Sequence, residues 1–393
     1  MERVIDVTRV GIITFLHNDN YGSLLQAWAL QQAVQSLGLE AEHIDYRPCS
    51  AEKIRNMARC GNSPALLTEG LRKRAVKARQ ADAQAKSAAL AAFRREQMRL
   101  SPPCRDHAAL AKAAASYDIL LAGSDQIWSP VWLNPAYFLD FALPNQRRVA
   151  YAPSLGVASM PRGRKARMIR ELVAPFDRLS VREAEGAAIL QSLTGRAAEV
   201  LPDPVALPEP SAWQALAEQP RRAKPYLLCY FIGDSPDYWA RVASLAAETD
   251  LETVVIPVTA QAWHQPYEMA GGLSPQAWVG HIAGASRVVT DSFHGAAFAY
   301  MLGTPVTVLR RYREDDPASK NSRIDQLHRS LGIEGGREAD PTQVQARFTK
   351  LRAQGMAYLQ ASLAGSDEPS RCANASGRGE HSTSASPVSG WRR

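Results

Sequence analysis

Long apolar runs are missing from this 393-residue chain. None reaches the roughly 18 to 20 residues that a membrane-crossing helix requires. The first residues, MERVIDVTRVGIITF, scatter charge through the segment and offer no small-residue cleavage pattern, so no secretory leader is expected and a cytosolic location is. Cysteine is scarce as well: the five, at 49, 60, 104, 229 and 372, are odd in number and lack paired spacing. That excludes a disulfide scaffold and gives no metal site. Without a leader, the sequon Asn374-Ala375-Ser376 reads as accidental. No G-x-G-x-x-G or Walker pattern occurs, so a nucleotide fingerprint is absent. No internal repeat at a fixed period is visible.

What is present is the composition of a soluble globular protein, 46% hydrophobic and 22% charged, with length enough for two cores. The net charge of +7 is unevenly placed: residues 51–115 hold 14 Lys and Arg against 5 Asp and Glu. Within them, TEGLRKRAVKARQADAQAKSAALAAFRREQMRL is rich in helix formers. It reads either as a solvated helical face or as an electrostatic platform for an anionic membrane surface or phosphorylated lipid carrier. Nucleic acid is disfavoured as a partner, because only Phe93 interrupts the basic run and no binding motif appears.

Strand-like runs alternate with helical patterns along most of the chain. Val10–Phe15, then Leu24–Leu37 closed by Gly38, then His43–Tyr46 make a β-α-β unit. Strands are expected at Asp118–Ala122, Arg148–Ala152 and Leu179–Val181. Pro202, Pro204, Pro208 and Pro210 crowd one stretch that reads as an interdomain linker. A second alternating set follows: strands at Tyr226–Ile232, Thr253–Val258, Arg287–Thr290 and Pro305–Leu309, and helices at Tyr238–Glu248, Trp278–Ala285, Gly295–Leu302, Arg323–Leu331 and Pro341–Leu363. The expected organisation is α/β, two Rossmann-like lobes facing across a cleft. Residues 1–207 form the first lobe with a basic helical insertion at about 51–115, and 208–340 the second. A C-terminal helix spans 341–363, and a tail without apolar period spans 364–393.

Ligands of open α/β sheets bind beyond the carboxyl ends of the strands. The loops there carry Asn18-Asp19-Asn20, Gly123-Ser124-Asp125-Gln126-Ile127-Trp128, Arg182-Glu183 and Asp291-Ser292-Phe293-His294-Gly295. The first can simply cap and turn the chain. In the second, a carboxylate followed by Gln126 and Trp128 suits a capping turn or the hydroxylated face of a sugar. Arg182 is either an arginine that a strand terminus simply tolerates or the planar fork that grips phosphate or carboxylate. His294 precedes small residues at a helix start, where backbone N–H groups favour an anion and an imidazole can donate a proton; the other reading is a helix-capping or buried histidine.

Taken in order, GIITFLHNDNYGSLLQAWALQQAVQSLG, DYRP, DILLAGSDQIWSP, YAPSLG, LSVREAEG, VLPDPV and TDSFHGAAFAYMLGTPVTVL resemble the polysaccharide pyruvyl transferase family over residues 9–335. The resemblance implies a GT-B-like fold whose last helices cross back to the first lobe. It implies transfer of the enolpyruvyl unit of phosphoenolpyruvate to two sugar hydroxyls, giving a pyruvate ketal and phosphate. The acceptor would be an exopolysaccharide or other cell-surface glycan, or its free or lipid-linked precursor, and no cofactor is needed. Carried onto this chain, His294 and Asp125 are the catalytic candidates, His294 as acid and donor ligand and Asp125 as base or sugar ligand. Arg182, Ser292 and Gly295 are expected at the donor, and Asn20, Tyr21, Gly22, Gln126 and Trp128 at the acceptor. Some members carry an arginine two residues before the histidine, where this chain has Ser292. Arg310 or Arg311 is then expected to supply the missing cation. Two other readings stay open: a GT-B glycosyltransferase using a nucleotide sugar, and a non-catalytic relative that binds sugar or anion.

Overall fold

The computed structural model describes residues 7–65, 81–157, 159, 162–311, 322–333 and 340–364. The most basic stretch, 68–80, and the tail from 365 lie outside the described residues. In the first lobe β1 (Arg9–Ile13), α1 (Tyr21–Ser36), β2 (Glu40–His43), α2 (Ser50–Cys60), α3 (Ala81–Gln97), α4 (His107–Ala114), β3 (Ile119–Ala122) and β4 (Arg147–Ala150) follow one another. The four strands are parallel, in the order β2-β1-β3-β4. Then come α5 (Arg164–Val173), β5 (Ser180–Val181), α6 (Ala184–Thr194) and β6 (Glu199–Val200), and the β5-β6 pair adjoins β4 where Ala150 N donates to Arg178 O at 3.0 Å.

The second lobe holds α7 (Pro210–Leu216), β7 (Tyr226–Tyr230), α8 (Pro236–Thr249), β8 (Glu252–Val255), β9 (Glu268–Met269), α9 (Pro275–Ala283), β10 (Arg287–Thr290), α10 (Phe293–Leu302), β11 (Val306–Val308) and α11 (Ser322–Leu331). Its strands are parallel in the order β11-β10-β7-β8-β9. Helix α12 (Pro341–Leu363) closes the described chain.

The central strands form because their residues are apolar throughout. All of Ile119-Leu120-Leu121-Ala122 is buried, as befits a strand covered by helices on both faces. Helix α1 is buried nearly all round for a related reason: one side lies on the first sheet and the other on the second lobe. A chain of rings starts and ends on it. Tyr21 stacks on Trp278 at 5.5 Å, Trp278 meets Phe298 at 5.2 Å, Phe298 meets Trp213 at 4.8 Å, and Trp213 meets Trp28 at 5.0 Å. The lobes therefore share one core instead of touching through a hydrated gap.

The proline cluster is a packed connection, not an exposed linker. Pro204 and Pro210 start short helical turns, where a missing N–H is harmless, and Val205 and Trp213 are buried. Helix α12 lies against it: Arg352 Nε donates to Leu207 O at 2.7 Å and Gln354 Nε2 to Val200 O at 3.1 Å. The same helix packs Val344 and Phe348 in the second-lobe core and Leu359 and Leu363 in the first. Helix α3 carries the described part of the basic insertion. Its Leu90 and Phe93 are buried in the shared core, while Arg94 Nη1 donates to Leu16 O at 2.9 Å. Among the described residues no helix is long and apolar enough to cross a membrane.

Candidate active site

Arg182 leaves the end of β5 and is buried, 3% exposed. Its Nη1 lies 2.5 Å from Asp203 Oδ2, its Nε 3.3 Å from Glu183 Oε1 and its Nη2 3.9 Å from Asp125 Oδ1. The guanidinium also sits 4.8 Å above the Phe293 ring, so a residue of the second lobe covers a cation of the first. Burial disfavours the charge, but Glu183, Asp203 and Asp125 outweigh it and hold the pKa above its ordinary value. Nη2 has no hydrogen-bond partner.

Asp125 adopts φ +68°, a left-handed conformation that turns its carboxylate back into the site. Oδ1 accepts from Gln126 N at 2.8 Å and Oδ2 accepts from the Ser23 hydroxyl near the start of α1. Asn18 and Asn20 hold that serine: Asn18 Nδ2 donates to Ser23 Oγ at 2.9 Å, and Asn20 Oδ1 caps the helix by accepting from Ser23 N at 3.2 Å.

On the second lobe, α10 starts two residues earlier than its apolar pattern predicts, because Ser292 is its cap: Gly295 N donates to Ser292 Oγ at 3.3 Å. His294 thus lies within the first turn. Its Nε2 is 3.5 Å from Asp203 Oδ2 and lacks a hydrogen-bond partner. A β-carbon on Gly22 would fall on the imidazole, so α1 can carry only glycine there while the ring keeps its place. Gly295 allows a comparable approach to Thr290, whose Oγ1 would stand 2.6 Å from a β-carbon. Asp203 joins the two halves. Burial opposes its charge, yet His294 and Arg182, with the Val205 N–H, bring its pKa down to about 2.

A profile of known proteins, polysaccharide pyruvyl transferase, matches residues 20–311, most of the chain. The chain belongs to the polysaccharide pyruvyl transferase family. It is therefore a transferase. A search of curated proteins returns no significant match. Among solved structures, a Listeria monocytogenes protein described as a putative UDP-N-acetylglucosamine 2-epimerase aligns with TM-score 0.50 and 11% identity, over 92% of this chain and 98% of its own. The UDP-GlcNAc 2-epimerase of Neisseria meningitidis, bound to UDP-GlcNAc, aligns at 0.45 and 10%, over 91% and 94%. The glycosyltransferase SnogD of Streptomyces nogalater aligns at 0.39 and 15%, over 91% and 98%. At such identities the likeness is one of fold, and it is the GT-B arrangement of two Rossmann-like lobes.

In this pyruvyl transferase family member the fold brings together Arg182, Asp125, Gln126 and His294, with Gly22 and Gly295 as the spacing that lets them meet. Other expected residues serve elsewhere. Trp128 is in the first-lobe core, stacked on Phe138 at 4.9 Å and donating Nε1 to Tyr137 O at 2.9 Å, so it offers no face to a sugar. The Tyr21 hydroxyl donates to Leu273 O at 3.0 Å and its ring is part of the interlobe core. Asn20 and Ser292 are helix caps. Arg311 is tied to Asp291, Nε to Oδ2 at 2.9 Å, and that buried carboxylate also accepts from the N–H groups of Ile232 and Gly233, both at 2.7 Å. Arg310 pairs with Asp325 at 3.1 Å and lines a separate cavity with Arg287 and His328.

Two site residues escape sequence reading. Asp203 lies in the proline cluster, where VLPDPV signals a connection and not a ligand. Arg323 belongs to α11, for which the sequence gives a helix and no ligand signal. A cavity of about 220 Å³ beside the site is lined by Arg182, Asp203, Phe293 and Arg323 at its polar end, and by Leu201, Val205, Leu327 and Phe348 among others along its apolar wall. Among the described residues no cluster of His, Cys, Asp or Glu is placed to hold a metal ion.

Proposed function

We propose that this chain transfers the enolpyruvyl unit of phosphoenolpyruvate to two hydroxyls of a sugar in a cell-surface polysaccharide or its precursor, forming a pyruvate ketal and releasing phosphate. One observation carries the reading: two buried nitrogens without hydrogen-bond partners, Arg182 Nη2 and His294 Nε2, belong to side chains that meet at Asp203, Arg182 through its Nη1 and His294 through Nε2 at 3.5 Å. Buried polar groups demand partners. A small anion with two acceptor groups satisfies both.

The chemistry follows from the donor. A proton delivered to carbon 3 makes carbon 2 electrophilic, and His294 is the acid, with Asp203 as its counter-charge when it carries the proton. The first sugar oxygen bonds to carbon 2 as its own proton passes to Asp125, whose carboxylate already accepts from Ser23. The bond from carbon 2 to the phosphate oxygen then breaks, and phosphate leaves with the electron pair. The second hydroxyl closes the ketal at carbon 2, its proton passing to the departing phosphate, while the proton on Asp125 returns through solvent to His294. Arg182 steadies the charge that develops on the leaving group. Helix α3, holding Leu16 through Arg94, sets the basic insertion beside the loop that precedes α1. That position suits an anionic, lipid-linked acceptor at the inner membrane face.

Incubation with phosphoenolpyruvate and a panel of sugars tests the reading by phosphate release together with a pyruvylated product. Release that depends on both substrates supports it. Turnover of a nucleotide sugar, with none of phosphoenolpyruvate, would replace it with glycosyl transfer.

A further inference from the structure

The cationic contact that Ser292 cannot provide has a replacement in the fold. We infer that Arg323, from α11, is the second guanidinium of the donor site and grips the anion jointly with Arg182. The inference rests on the donor reading given above. Ser292, Arg310 and Arg311 are all committed elsewhere: the first caps α10, the second pairs with Asp325 and the third with Asp291. Arg323 instead shares the cavity wall with Arg182, Asp203 and Phe293. Its hydrogen-bond partner is neutral: with the Gln126 carboxamide oriented to suit both groups, Oε1 accepts from Arg323 Nη2 at 3.1 Å and from Nε at 3.3 Å. Among the described residues no carboxylate comes within ion-pair distance of it, and Glu183 and Asp125 act on it only through space.

Two guanidiniums in one desolvated pocket repel each other. Burial first, and then the charge of Arg182, bring the Arg323 pKa down to about 10. An anion placed between them removes that repulsion and meets the Arg182 Nη2, which has no hydrogen-bond partner. The ligand class is a small phosphorylated carboxylate, with one guanidinium for each anionic end. Gln126 is then a positioning residue. It aims Arg323 from the first lobe, next to the Asp125 carboxylate.

The test is calorimetric titration of the full chain with phosphoenolpyruvate and, separately, with UDP, for wild type, Arg323→Gln and Arg323→Lys. The glutamine variant should bind phosphoenolpyruvate at least about tenfold more weakly, the lysine variant falling between. Unliganded Arg323→Gln should melt no lower than wild type, because a like-charge contact has gone. Wild-type affinity for phosphoenolpyruvate retained in the glutamine variant, with or without a lower Tm, overturns the assignment and leaves the donor reading intact. If wild type binds UDP alone and the variant loses it, Arg323 stands as an anion ligand and the donor reading fails. Binding of neither compound by wild type overturns both.

Discussion

The imidazole of His294 lies where a side chain on Gly22 would be. One residue opens the first helix of the first lobe and the other opens the helix after β10 of the second. The absence of a side chain on one lobe thus sets the position of an imidazole on the other. Gly22→Ala should displace the ring and lower turnover about 100-fold, the scale expected when a reacting group shifts by about 1 Å. The stability cost should be about 1–3 kcal/mol, as for other overpacked sites, even though alanine is the better helix former. Phosphate release and urea denaturation of the same preparation would separate the two effects.

His294→Ala removes the proposed proton donor. Turnover should fall by about 100-fold or more. Circular dichroism should be unchanged, because Ser292 and not His294 caps the helix. Wild-type phosphate release from this variant would remove His294 from the chemistry.

Asp203→Asn leaves Arg182 and His294 facing a neutral group. The variant should lose about 3 kcal/mol near neutral pH, the cost of taking from a buried guanidinium the nearest of its three carboxylates. The folded carboxyl titrates at about 2 instead of its ordinary 3.8. Its contribution is therefore complete above the ordinary value and fades as pH falls through 3.8 toward 2. Denaturation curves across that window should show wild type and variant converging. A constant gap would mean that Asp203 acts through shape and not charge.

Trp213→Ala breaks the ring sequence between the lobes and frees the Val205 carbonyl that Nε1 reaches at 3.1 Å. The expected loss is about 3–5 kcal/mol. Scanning calorimetry should show one transition in wild type, since the rings lie in a single core. Two separated transitions in wild type would show that the lobes unfold independently.

Much of this architecture is legible in the residues alone. DILLA reads as a strand because a buried strand needs apolar positions on both faces, and Arg182 and His294 are visible because strand ends mark ligand loops. Trp128 misleads: an aromatic after Asp-Gln at a strand end resembles a sugar platform, yet Phe138 and Phe176 enclose it. Asp203 and Arg323 are hidden for different reasons. Proline neighbours give Asp203 the character of connecting chain, and Arg323 stands in a stretch that reads as a helix with no ligand signal. Both act through distant partners, Asp203 with His294 and Arg323 with Gln126, and local pattern carries no trace of such pairings.

The chain passes between the lobes twice, once through residues 200–209 and once along α12, and Arg352 and Gln354 fasten the two passages together. Two fastened crossings hold one edge of the shared core at two points. Asp203 stands on the first of them, so the carboxylate that meets Arg182 and His294 belongs to the chain that ties the lobes together.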